Sequence, residues 1–312
     1  MRNIDRTMRP PRQYEGGRRY RHRPIEVKGG ASYIASITGE WQRTVAPSQV
    51  IAFKSCQAYY VREAEGDLAE APPSVSVAIG RAVHEQIAKP AAERRSVAAV
   101  IAASPNIPKE QRAGAVRAVQ EMVATATKHE KREAPKTQQL VREPKALFHF
   151  DDATQTYWFA KPDKIRLVGE GRDQYVCVDD TKSGRHRHRY GHLVPFMMGL
   201  VVRRSRAWEK FWGVEFNGNV RTRLVYLRGP DGRSLESAEY LVDNIRATLT
   251  GEQRTRLSGL ESFIREIDET WKRGWFRVQP GPQCENCNFR SDCQLGQDWV
   301  AAQIAAHTEA ST

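Results

Sequence analysis

No apolar run in this chain approaches the ~18 residues that a membrane-spanning helix requires, so no membrane partner is expected. The first residues hold no hydrophobic signal core either, and a soluble, cytoplasmic protein is the expectation. Cysteine is scarce, with five in 312 residues. An odd and sparse set is not a disulfide framework, so spacing matters more than number. No internal repeat is present, which sets aside repeat architectures. Acidic residues fall short of basic ones, 37 against 49, leaving a formal net charge of +12. That excess points to a polyanionic partner; charge alone allows nucleic acid first and an anionic membrane surface second, and nucleic acid is the expectation.

What remains is ordinary for a globular protein: 40% hydrophobic and 28% charged residues, in a chain long enough to bury a real core. Residues 1–30 form a basic arm. Eight arginines between Arg2 and Arg23 sit among Pro and Gly with no apolar period, a composition expected to be disordered when free. Residues 47–65 read as a helix opened by Pro47 and Ser48. A second helix is expected over 76–103, and a third over about 108–132 with Val116, Val119 and Val123 on one side. From about residue 138, QQLVREPKALFHF, TYWFAKPDKIRLV and QYVCVDDTK read as three consecutive strands. A helix over 190–212, a fourth strand over 219–228, and helices over 234–250 and 253–273 complete the pattern. The stretch from Pro280 to Cys293 has no regular period and reads as a knuckle.

Two acidic residues and a lysine stand out in the strand region. Asp163 follows Pro162, and Asp180, Thr181 and Lys182 close the next strand. Adjacent strands can bring both carboxylates to one sheet edge, where hard oxygen donors suit Mg²⁺ or Mn²⁺. Lys182, two residues beyond Asp180, points to the same face. Spacing alone leaves these residues readable as solvated strand ends. His84, in GRAVHEQIA, gains meaning only as a third ligand beside the two aspartates.

Cys284, Cys287 and Cys293 form a C-x₂-C-x₅-C array in a polar, Pro-flanked stretch, a poor place for buried apolar cysteines. Four thiolates suit zinc or an iron–sulfur cluster. Cys177, in the strand YVCVDD, reads as a small buried hydrophobe, so Cys56 is the better fourth ligand. A lone cysteine plus a triplet favours iron–sulfur, and spacing alone keeps zinc open.

In this order the pieces resemble the PD-(D/E)XK nucleases of the RecB-like group that carry an iron–sulfur staple. The nuclease domain of AddB and the CRISPR-associated RecB-like exonucleases belong to that group. APSQVIAFKSCQAYYVRE resembles the helix bearing the first cluster cysteine. GRAVHE resembles the Gly-x-x-x-His motif, AKPDKIRL the motif of the first metal-binding Asp, CVDDTKSG the Asp-x-Lys-Thr-Gly strand, and QCENCNFRSDC the terminal cysteine triplet. The resemblance implies His84, Asp163, Asp180 and the carbonyl of Thr181 as ligands to Mg²⁺ or Mn²⁺, with Lys182 catalytic. It implies Cys56, Cys284, Cys287 and Cys293 as ligands to a [4Fe-4S] cluster. DNA phosphodiester hydrolysis, often exonucleolytic, is the implied activity.

The match has departures. Where the family has Gln-x-x-x-Tyr, this chain has His192 and Phe196, and Ser183 stands where a Thr is usual. His192 can still hydrogen-bond a phosphate or base, but Phe196 lacks the hydroxyl. Arg185, Arg187 and Arg189, interleaved with His186 and His188, follow the lysine strand and would face a DNA backbone. Arg203, Arg204 and Arg206 would extend that surface. Trp208, Phe211 and Trp212 read as core, with base stacking the alternative.

The expected fold is α/β: a restriction-endonuclease-like mixed central sheet flanked by helices, with a helical cap and a C-terminal iron–sulfur knuckle. The nuclease domain is expected over 31–298, its cap over 67–136 and its knuckle over 280–296, followed by a tail at 299–312. The expected function is a metal-dependent DNA nuclease acting on ends or single strands. Protein partners would belong to recombination, CRISPR-adaptation or phage DNA-processing systems. The rival reading is a DNA-binding or end-recognition module of the same fold with weak or no catalysis. A zinc-stapled interaction protein stands third.

Overall fold

The computed structural model describes residues 26–28, 33–35, 41–65, 74–151, 153–184, 193–213, 219–228, 235–236, 240–242, 251–273, 276–287 and 289–309. Three strands come first: β1 (Glu26–Lys28), β2 (Tyr33–Ala35) and β3 (Trp41–Val45). Helices α1 (Pro47–Ser55), α2 (Gln57–Glu65), α3 (Val75–Ile87), α4 (Val97–Ala102) and α5 (Arg112–Glu133) follow. Next are strands β4 (Thr137–Arg142), β5 (Leu147–Asp151), β6 (Thr156–Ala160), β7 (Lys164–Val168) and β8 (Tyr175–Lys182). Helices α6 (Leu193–Arg204) and α7 (Ala207–Trp212) lead to strands β9 (Asn219–Tyr226), β10 (Leu235–Glu236) and β11 (Tyr240–Val242). Helices α8 (Gly251–Arg273) and α9 (Gln294–Glu309) come last. The chain is thus α/β, with two mixed sheets flanked by helices.

Several elements differ from the sequence expectation, each for a local reason. The three expected strands are five, because reversals hide inside the apolar runs. Glu143, with a left-handed φ of 44°, separates β4 from β5, and Pro162, which cannot donate to a ladder, separates β6 from β7. The expected helix over 47–65 breaks at Cys56, whose backbone is extended (φ −162°, ψ 114°). The helix expected over 190–212 breaks at Arg206, at φ 50°. Residues 235–236 and 240–242 are strands rather than helix, because the free edge of β9 pairs with both. β1 lies within the stretch read as the arm, and α9 spans most of the stretch read as a tail. The arm's arginines lie outside the described residues.

The chain divides into two compact units. One comprises residues 1–71, 150–158 and 256–312. There β1, β2 and β3 pair antiparallel, and Thr44 and Val45 of β3 pair in parallel with Tyr157 and Trp158. Val45, Val50, Phe53, Tyr60, Trp158, Leu260 and Ile264 are buried in this unit. Gln49 braces the start of α1: its Oε1 accepts from the Ala46 amide at 2.7 Å.

The other unit comprises residues 72–149 and 159–255. Its sheet runs β10-β9-β8-β7-β4, with β11 also on β9. β4, β7 and β8 are antiparallel neighbours, whereas β8 and β9 are parallel, a pairing that requires the crossover carrying α6 and α7. α6 is buried on every side along Leu193–Arg203, as its almost wholly apolar sequence demands. On another side, α3, α4 and α5 share a core with Val225 and Leu227 through Val83, Ile87, Val119 and Met122. These helices flank the sheet on that side.

Beneath these helices lies a buried ionic cluster. Asp179 receives both arms of Arg166 (Nε to Oδ2 3.0 Å, Nη2 to Oδ1 3.4 Å) and Arg223 Nε at 2.5 Å. Arg223 Nη2 also reaches Glu133 and the His129 ring at 3.2 Å. Burial works against the Asp179 carboxylate, but the two guanidiniums hold its pKa below the usual range. Burial, with Arg223 adding to it, depresses His129 to about 4. Cys177 sits here too, within 3.4 Å of Arg166 and Asp179, its thiol pushed up by burial.

Candidate active site

The pleat of β8 sends alternate residues to opposite sides of the sheet. Cys177 and Asp179 turn to the arginine cluster, so Asp180 and Lys182 turn to the other face. Asp163 stands in the turn just before β7, the antiparallel neighbour of β8. Its Oδ2 accepts from the Thr181 amide at 2.6 Å, tying the β7 turn to the end of β8. Its Oδ1 lies 3.2 Å from His84 Nδ1 on α3. The two expected motifs and the histidine therefore meet in one place.

Asp180 is almost fully buried. Its Oδ2 lies 2.6 Å from Lys182 Nζ, a close ion pair. Burial raises the Asp180 pKa; Asp163 adds to the rise and Lys182 opposes it. Burial also works against the Lys182 ammonium, but Asp180, followed by Asp163, holds its pKa above the usual lysine value. The hydrogen bond with Asp163 raises His84 against the pull of burial. Buried and half-buried carboxylates gathered beside an imidazole are what a divalent cation would satisfy. The donor set fits such an ion.

α3 reaches the site through a close backbone approach. A Cβ added to Gly80 would stand 2.9 Å from Ser183 Oγ, so the glycine of Gly-x-x-x-His lets α3 sit against the end of β8. Sequence reasoning missed Glu143. Its amide donates to the Asp163 carbonyl at 2.8 Å, and ligand atoms of Glu143, His84 and Asp163 all lie within 4.8 Å of one another. Burial and the Asp163 charge raise its pKa. The signal was faint: a lone acidic residue before a proline, in a stretch read as continuous strand.

The remaining expected residues divide. Arg185, Arg187, Arg189 and His192 lie outside the described residues. Phe196 is 1% exposed, a core residue of α6. Arg203 is buried, so it does not extend a DNA-facing surface. Arg206 pairs with Glu209 across one turn. Trp208 is fully buried, as the core reading expected.

In the other unit the four cysteines expected to act together are neighbours. Burial raises the Cys287 thiol, and the proximity of Cys284, Cys56 and Cys293 adds to the rise. A Cβ on Gly296 would touch the sulfurs of Cys293 and Cys284 at 3.4 and 3.5 Å. Gln283 Nε2 donates to the Ser55 carbonyl at 2.9 Å, the Ala58 amide donates to Arg277 at 3.2 Å, and Tyr59 packs edge-on against Phe289. The Gly281 amide points at Cys284 Sγ at 3.4 Å, the kind of contact that supports a metal-bound thiolate.

No curated protein matches the chain. Among solved structures, one titled "Crystal structure of SSO0001" is similar with a TM-score of 0.36 and 12% identity, covering 81% of this chain and 87% of that one. The family assignment does not rest on that likeness. It rests on the profile of the PD-(D/E)XK nuclease superfamily, which matches residues 44–294 and so spans the two aspartates, the lysine and all four clustered cysteines. With that extent of match, the chain belongs to the PD-(D/E)XK nuclease superfamily.

Proposed function

We propose that this protein is a metal-dependent deoxyribonuclease of the RecB-like kind, acting on DNA ends or single strands. The observation that carries the reading is the meeting of Asp163, Asp180 and His84 beside the Lys182 ammonium. His84, Asp163, Asp180 and the Thr181 carbonyl would hold Mg²⁺ or Mn²⁺. Such an ion, when bound, polarises the scissile phosphate and lowers the pKa of an attacking water. Asp163 positions the strand ends through the Thr181 amide. Lys182, kept protonated by its carboxylate neighbours, offsets phosphate charge and orients the water. The net charge of +12 favours a polyanionic substrate, and Arg185, Arg187, Arg189 and His192 are proposed to contact its backbone.

Cys56, Cys284, Cys287 and Cys293 are proposed to hold a [4Fe-4S] cluster that staples residues far apart in sequence. The lone-plus-triplet spacing supports iron–sulfur over zinc. The burial of Phe196, where relatives present a tyrosine, favours a second reading: recognition of DNA ends with weak catalysis. Labelled single- and double-stranded DNA, incubated with the full chain and Mn²⁺ with and without chelator, separates these readings. Cleavage that chelation abolishes supports the nuclease. Binding without cleavage supports the second reading.

A further inference from the structure

Glu143 belongs to none of the motifs, yet the fold holds it in an expensive conformation. Its φ of 44° is one that glycine or asparagine adopts more readily than glutamate. Its amide is fixed to the Asp163 carbonyl, which directs the side chain toward His84 and Asp163. Lys161, 3.9 Å away, is its cationic neighbour, and that lysine is largely exposed. A half-buried carboxylate brought to other carboxylates at a strained position is explicable if the side chain itself is needed there.

We infer that Glu143 is a further ligand of the cation site, making a set of three carboxylates, one imidazole and the Thr181 carbonyl. The inference rests on the reading of His84, Asp163 and Asp180 as that site. Mg²⁺ usually keeps several waters and takes one or two carboxylates. A third carboxylate together with an imidazole suits Mn²⁺ better, since imidazole nitrogen favours transition metals. The site is therefore selective for Mn²⁺ over Mg²⁺, and Glu143 is part of the cause.

Calorimetric titration of Mn²⁺ into the full chain tests this, with Glu143→Gln and Asp163→Asn beside the wild type. Asp163→Asn is expected to abolish binding, and Glu143→Gln to weaken it by roughly tenfold or more. Mg²⁺ affinity should fall less, so the Mn²⁺ preference shrinks in Glu143→Gln. Glu143→Gly supplies a second readout. Without metal its thermal midpoint should rise by about 2–4 °C as the left-handed backbone relaxes, while the Mn²⁺-induced rise should shrink. If Glu143→Gln keeps wild-type Mn²⁺ affinity while Asp163→Asn loses it, the inference is overturned and the site reading stands. If the wild type takes up no Mn²⁺, or Asp163→Asn binds it equally well, both fail.

Discussion

Asp179 and Asp180 are consecutive on β8 and face opposite sides of one sheet. Asp179 is clasped by Arg166 and Arg223; Asp180 lies beside Lys182 at the candidate metal site. One residue of register separates a carboxylate that holds the fold from one proposed to hold a cation.

That division predicts different outcomes for the same substitution. Asp179→Asn leaves two buried guanidiniums short of a counter-charge and should cost about 3–5 kcal/mol. Asp180→Asn removes a buried carboxylate that burial and Asp163 disfavour. Because it also leaves Lys182 without its carboxylate, stability should change by no more than about 1 kcal/mol while metal-dependent activity is lost. Urea denaturation with cleavage assays on both variants checks the pair. Equal destabilisation would contradict the two-faced account.

The cluster under α5 predicts a response to acid. His129 titrates at about 4 in the folded protein and near 6.5 when unfolded. The unfolded chain thus binds more protons between those values, and stability contributed by neutral His129 is full above pH 6.5. It should fall progressively as pH drops toward about 4. His129→Gln should flatten that part of the stability–pH curve.

Gly80 predicts a defect of position rather than of folding. Gly80→Ala should push Ser183 away from α3 and lower activity roughly tenfold to hundredfold, as small misplacements do. Ser183→Gly added to it should restore much of the loss. A double-mutant cycle without coupling between the two positions would reject this contact as the cause.

The cysteine cluster predicts colour. Protein prepared anaerobically should be brown with broad visible absorbance, and Cys284→Ser and Cys56→Ser should each remove it. Cys177→Ala should keep it, because that thiol lies among Arg166 and Asp179. A colourless protein holding zinc would sink the iron–sulfur assignment.

What was legible in the sequence follows from how local each feature is. Asp163, Asp180 and Lys182 could be read because antiparallel β7 and β8 join two short motifs through a tight connection. His84 needed the resemblance, since nothing in an amphipathic helix says which strand end it will meet. Glu143 was hidden because its placement depends on a left-handed turn inside an apolar run. Nothing in the sequence separates Asp179 from Asp180, and only its arginines on β7 and β9 show its structural part. Residues 235–236 and 240–242 misled because their pairing is set by the distant edge of β9 rather than by their own period.

The most direct test is cleavage of labelled single- and double-stranded DNA by the full chain with Mn²⁺, beside Lys182→Ala. The account predicts metal-dependent cleavage by the wild type and its loss in the variant, with both proteins equally folded. No cleavage above the variant's level, or equal cleavage by both, would contradict it.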